Sequence, residues 1–302
     1  MAEGVRPILP SLEVGNGSAR YLSASASVVV FVLVGFQLLH FGFGRLFELL
    51  PSAPAILLIF LALHFALPLS EWFIYRRLWS LPVGGIAPLF RKAVINDLVF
   101  SYGGELYLYD WARSRLGDGL APFQAIKDVC ILSAMVGNIA TVGMLLITAP
   151  WLAEMLPVSY VAPLLSSALL LLCISVLVGI FRNRLFSLTR GDVYFVCAVH
   201  AGRIASTILL TAALWACLLP EIPFLYLLGL QALRLLVSRL PLIPNDELLF
   251  ASLTILVVGQ DSAVSAVASL TAMALIGLHL TTFVLLLLGD LIGRGRRHRH
   301  GK

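Results

Sequence analysis

Long apolar runs separated by short polar segments dominate the chain, falling near 23–43, 53–75, 125–149, 158–181, 193–219, 223–240, 247–259 and 262–291. Most reach the roughly 20 residues that a helix needs to cross a bilayer, so each predicts a spanning helix. The first run is too long for a signal-peptide core. The small residues Ser23 to Ser27 precede it instead of following it, so it reads as an uncleaved span. The run Glu247–Gly259 is different: its 13 residues reach roughly 19 Å at about 1.5 Å each, against a hydrocarbon core of about 30 Å. A broken helix, a tilted half-span or part of a re-entrant hairpin is expected there.

Two polar interruptions break the pattern. In RKAVINDLVFSYGGELYLYDWARSRLG, Arg91–Gly117, the polar residues Asp97, Ser101 and Glu105 recur every four positions along one helical face. Gly103-Gly104 then cuts that helix just before Glu105; two glycines inside a helix cost about 2 kcal/mol relative to alanine. In the second interruption Pro241 and Pro244 stop one helix, Asn245 is a suitable N-cap and Glu247 lies in the first turn of the next. GGELYLY and NDELLFA echo each other as a backbone break, an acid and an apolar helix, with the two glutamates 142 residues apart. Such echoes are what an inverted repeat leaves in transporters whose broken helices meet near the midplane. The expected architecture is an all-α polytopic membrane bundle of about eight spans, or seven with re-entrant hairpins. The expected domains are an N-terminal tail (1–22), one transmembrane domain (23–291, broken at 91–117 and 238–259) and a basic tail (292–302).

Composition agrees. Hydrophobic residues make up 60% of the chain and charged residues 12%, with a mean hydropathy of +0.96; soluble domains carry roughly 25% charged residues. An ordinary soluble enzyme, a disordered chain and a nucleic-acid-binding domain are excluded. The net charge of +5 reflects topology: five of the 21 Lys and Arg residues occupy the tail GRGRRHRHGK. Arg76, Arg77, Arg91, Lys92, Arg113, Arg115, Lys127, Arg182, Arg184 and Arg190 fall in alternate loops, and the intervening loops hold mainly acids such as Glu154, Glu221 and Asp261. The positive-inside rule then places both termini in the cytoplasm. Cys130, Cys173, Cys197 and Cys217 all lie within apolar runs and read as small core hydrophobes. No Walker loop, metal-ligand motif, GxSxG elbow or Cys-His pair stands out, so no cofactor or metal is expected.

The candidate chemistry is charge inside the spans. Arg203, with His200 on the same face, and Arg234 lie within apolar runs, where an arginine costs about 2.5–3.5 kcal/mol and turns toward the bundle interior or water. Each is read either as a structural partner of Glu105, Glu247, Asp97 or Asp128, or as a bidentate grip on a lipid phosphate. Glu105 and Glu247 are capping acids if their helices begin at the membrane surface, and need a partner or a proton if they begin within it. His64 and His279 are candidate proton relays that can equally satisfy a backbone carbonyl. Lys127-Asp128 reads as an interfacial pair and Asn138 as interhelical glue.

The layout over residues 25–290 resembles the transmembrane domain of lysylphosphatidylglycerol synthases and their shorter flippase-like relatives. In that family an Asn precedes a Leu-Pro-x-Arg-x-Gly-Glu element, and a later Pro-Gly-Gly-Leu-Gly-x-x-Glu element opens a second broken helix. Asn96 and Gly104-Glu105 match the first element, and a proline break with Glu247 matches the second. Phe100 and Tyr102 stand where the family has Pro and Arg, and Pro-Asn-Asp replaces the glycine-rich turn. The resemblance implies a bacterial-type inner-membrane protein that moves or binds an anionic lipid or lipid-linked intermediate between leaflets. The partners would be membrane lipids, not nucleic acid, and the substrate-handling residues Asn96, Gly104, Glu105, Arg203, Arg234 and Glu247. A lipid-modifying transferase with Glu105 as general base, or a non-transporting partner subunit, are the alternatives.

The charge alternation predicts that reporters fused after Lys302 and inserted in the Pro150–Pro157 loop lie on opposite sides of the membrane. Accessibility labelling of the two fusions checks it, and a shared side would overturn the topology.

Overall fold

A computed structural model describes residues 54–98, 101–116, 121–240, 245–259 and 261–300. The expected first span at 23–43, the N-terminal tail and the Pro241 and Pro244 break lie outside the described residues. Within them the regular structure is helical: α1 Pro54–Trp79, α2 Ile86–Leu98, α3 Gly103–Leu116, α4 Pro122–Met155, α5 Val161–Ile180, α6 Arg190–Leu218, α7 Phe224–Val237, α8 Asp246–Val258 and α9 Ala263–His300. Five segments are long and apolar enough to cross a membrane: Pro54–Trp79, Pro122–Met155, Val158–Ile180, Arg190–Leu218 and Ala263–Gly289. Leucines such as Leu58, Leu165, Leu169 and Leu170 are exposed, whereas Glu71, Lys92, Asp128 and His200 are buried. That distribution suits a protein whose surroundings are lipid.

The four shorter helices, α2, α3, α7 and α8, have 13 or 14 residues and so are about 20 Å long, too short to cross the roughly 30 Å core. They form two helical hairpins. Leu89 of α2 packs with Leu108 and Ala112 of α3, and Leu227 and Leu230 of α7 pack with Phe250 and Ala251 of α8. The run 223–240, expected as a span of its own, is thus one arm of a hairpin whose other arm is the short run 247–259. The helix α4 continues through Pro150 to Met155, so the expected Pro150–Pro157 loop narrows to its last residues. The last span likewise continues as helix into the basic segment up to His300.

The break at Gly103-Gly104 is a helix start. Tyr102, at φ 71°, turns the chain in the left-handed region, and α3 begins at Gly103. Asn245, at φ 58°, plays the same part before α8, and its side chain accepts a hydrogen bond from Leu248 N (3.0 Å). Gly104 N donates to Asn96 Oδ1 at 2.7 Å, tying the arms of the first hairpin at their tip. Gly104 is required by close approach: a Cβ there would overlap the Lys92 carbonyl oxygen and come within 2.8 Å of Asn96 Oδ1.

The packing partners of the two halves correspond. Helix α1 packs along α6; α2 lies against α9, while α7 lies against α4; α3 meets α4, and α8 meets α9. Two apolar clusters close the bundle. One joins Ile74, Tyr75, Leu89, Leu108, Val129 and Val196; the other joins Phe60, Trp215, Leu227, Phe250, Ala251 and Ala268. The first holds the C-terminal part of α1 and the start of α6, the second the reverse ends of the same two helices, so the polar residues near the middle of these helices lie between two apolar layers.

Because Gly104 has no room for a methyl group, Gly104→Ala is expected to lower stability by about 1–3 kcal/mol through forced separation of the hairpin arms. Thermal unfolding of the purified protein in detergent checks this, with Gly143→Ala, inside α4 and with nothing within 4 Å of an added Cβ, as the control that should not destabilise.

Candidate functional site

Between the two apolar clusters lie three adjoining cavities of about 160, 240 and 260 Å³. Arg203 lines the first and third, Asp97 and Asp246 the first and second, and Glu105 and Arg239 the second and third. Their walls include Leu67 of α1, Asn138 of α4, Arg203 of α6 and Ile276 of α9, residues near the middle of long helices. The tips of both hairpins end here, which brings helix termini, with their free backbone groups, to the depth of the midpoints of the spans.

The first hairpin carries a buried ion triad. Lys92 of α2 donates a short hydrogen bond to Glu71 of α1 and pairs with Glu105 Oε1 at 3.1 Å. Asn96 Nδ2 donates to the same Glu105 oxygen at 3.2 Å. The second hairpin carries a bidentate pair, in which Arg234 donates from Nε to Glu247 Oε2 at 2.8 Å and from a terminal nitrogen to Oε1. In both hairpins the base stands 13 residues before the acid and reaches across from the first arm to the start of the second. An acid in the first turn of a helix is favoured by the dipole, and the basic partner supplies the countercharge that burial requires.

The expected pairing is therefore met for Glu247 with Arg234 but not for Glu105 with Arg203. Lys92, read from the sequence as a loop charge, takes Glu105, because it sits two turns before the end of α2 and faces the start of α3. Arg203 makes no hydrogen bond or ion pair among the described residues, and its Nε is buried without a partner. Arg239 bonds only Ser238 Oγ (2.8 and 3.2 Å) among the described residues, and its guanidinium lies against Gly137, where a Cβ would overlap it. Two guanidinium groups are thus held facing the cavities without a carboxylate fork. Asn138 lines the second cavity beside Arg239.

Other charges are structural. Asp128 pairs with Lys127 at 3.0 Å and accepts from Ser187 N and Oγ (both 2.7 Å) and Leu188 N (3.1 Å), pinning the connection between α5 and α6. Arg77 pairs with Asp192 at 2.8 Å. Neither ring nitrogen of His200 has a hydrogen-bond partner among the described residues. Glu71, Lys92, Arg239 and Asp246 were not expected at the site. Lys92 carried a signal in its 13-residue spacing to Glu105, shared by Arg234 and Glu247, whereas Arg239 and Asp246 stand beside a turn, where loop charge and site charge look alike in sequence.

Comparison with protein-family models, curated proteins and solved structures finds no match for this chain. What the fold and site define is a class: a multi-pass α-helical membrane protein with a charged, buried centre.

The pairings predict distinct double-mutant cycles. Coupling of about 0.5–3 kcal/mol is expected for Arg234→Leu with Glu247→Gln and for Lys92→Leu with Glu105→Gln. Arg203→Leu should be additive with either glutamate, because it pairs with neither. Thermal stability in detergent reads all three.

Proposed function

We propose that this protein is a flippase-like carrier that binds the phosphate of an anionic lipid, or of a lipid-linked intermediate, and passes it between leaflets. The observation that carries the reading is the convergence of two hairpin tips on one buried, charge-lined centre containing two guanidinium groups without carboxylate partners. A phosphate oxyanion matches a guanidinium fork, and the hairpin ends add polar backbone that is tolerated at membrane depth only where it lines a cavity.

The two halves act as an inverted repeat in this reading. With the positive loops inside, α1 descends toward the cytoplasm and α6 rises from it, so the two hairpins enter from opposite sides as re-entrant elements. Correspondence of packing partners (α1 with α6, α2 with α7, α3 with α8, α4 with α9) supports it, as do the matched base–acid pairs and the two apolar clusters. The clusters are the gates. Loosening the Tyr75–Val129 side opens the centre to the inner leaflet, and loosening the Phe60–Trp215 side opens it to the outer. Arg203 and Arg239 hold the phosphate, while Lys92–Glu105 and Arg234–Glu247 keep each hairpin intact as its gate moves. The resemblance to lysylphosphatidylglycerol synthase transmembrane domains implies a bacterial-type inner membrane, and the loop charges support both termini lying in the cytoplasm.

The test is a leaflet-resolved assay in liposomes with fluorescent phosphatidylglycerol. Protein-dependent movement is expected, falling about tenfold or more for Arg203→Leu or Arg239→Leu, since a hydrogen bond to a charged group is worth about 1.5–3 kcal/mol. Chemical conversion of the lipid would favour the transferase, and binding without movement or conversion a partner subunit.

A further inference from the structure

The cavities carry an odd balance of charge. Their carboxylates are Glu71, Asp97, Glu105, Asp246 and Glu247. Their bases are Lys92, Arg203, Arg234 and Arg239. With the histidines neutral and the other groups ionised, the site bears one uncompensated negative charge, which is unfavourable among buried groups. An anionic headgroup would add another. One proton taken up per headgroup returns the loaded site to the charge of the empty one.

The place for that proton is marked by geometry. Glu71 and Glu105 share Lys92, and Glu247 is clasped by Arg234. Asp246 opens α8 and shares its cavities with Arg203, Arg234 and Arg239. Asp97 alone of the five has a histidine as its ion-pair partner: Oδ2 lies 3.2 Å from His279 Nε2. It is also the penultimate residue of α2, at the helix end where the dipole opposes a carboxylate. The His279 ring lies against that of His64, centroid to centroid 4.8 Å. His64 Nε2 contacts Thr282 Oγ1 at 2.8 Å, and its Nδ1 is buried without a partner. Asp97, His279 and His64 all line the first cavity, with Arg203, Asp246 and Glu247 opposite.

We propose that Asp97, His279 and His64 form a proton-binding cluster that takes up a proton whenever a monoanionic headgroup binds, making the proton the coupling ion. The three groups titrate as a unit. The proton enters from water, comes to rest within the cluster and leaves when the phosphate leaves. The inference rests on the lipid-binding reading and adds to it the coupled species.

Uptake of a proton makes anion affinity fall as pH rises, by up to about tenfold per pH unit through the titration range. The experiment is calorimetric titration of the detergent-solubilised protein with short-chain phosphatidylglycerol in two buffers of different ionisation enthalpy. Short-chain phosphatidylcholine, with no net charge, is the control. About one proton taken up per phosphatidylglycerol and none per phosphatidylcholine is expected. Asp97→Asn with His279→Gln should bind phosphatidylglycerol with a pH-independent affinity and without proton uptake. The wild-type measurement decides alone if that variant fails to fold. Binding of phosphatidylglycerol without uptake overturns the proton cluster and leaves the lipid reading standing, as does equal uptake with the neutral lipid. No binding of either lipid overturns both.

Discussion

Charge taken out of water must be matched, and the centre of this protein is organised by that requirement. Five carboxylates and four Lys or Arg side chains, with His64 and His279, line adjoining cavities near the middle of the long apolar helices. A continuous helix could bring such groups inward but would offer them no free backbone. Breaking two helices does both: each returning arm begins at a helix N-terminus, whose first N–H groups have no intrahelical acceptor, and carries an acid in its first turn. The base on the outgoing arm then neutralises that acid and ties the arms together. Ion pair and backbone break depend on each other.

The apolar clusters follow from the same constraint. A buried ion pair is tolerable when water and lipid are both kept at a distance. Aromatic residues at the two ends, Tyr75 stacked on Trp79 (4.3 Å) and Trp215 on Phe250 (5.9 Å), provide bulky seals. Trp215 Nε1 donates to Thr271 Oγ1 at 3.1 Å, so that seal leaves no indole donor unmet. Elsewhere the hydroxyls of Thr141, Thr148, Ser175 and Thr254 donate to carbonyls of their own helices, which lets polar residues occupy apolar spans at little cost.

The unequal treatment of the arginines gives the site a direction for chemistry. Arg234 is committed to Glu247 and is a structural element of its hairpin. Arg203 and Arg239 are held in place by packing and by Ser238, with their charge directed at open space. A site made only of closed pairs would be a strut. Guanidinium groups without acids of their own are what the proposed phosphate carrier requires.

Periodicity and composition alone determined the class of the protein, because about 20 consecutive apolar residues have one stable use. They also located the helix starts at Gly103-Gly104 and after Asn245, which are local backbone signals that act within a few residues. Glu247 and Arg234 could be read as site residues, since an arginine in an apolar run has few options. Only the tertiary structure decided that 223–240 is half a hairpin, that Lys92 rather than Arg203 holds Glu105, and that Asp97, His64 and His279 converge from three helices. Those choices depend on which helix faces which. Side-chain charge in a sequence carries no distance to residues on other helices, and a lysine between two apolar runs looks the same whether it meets water or a buried carboxylate.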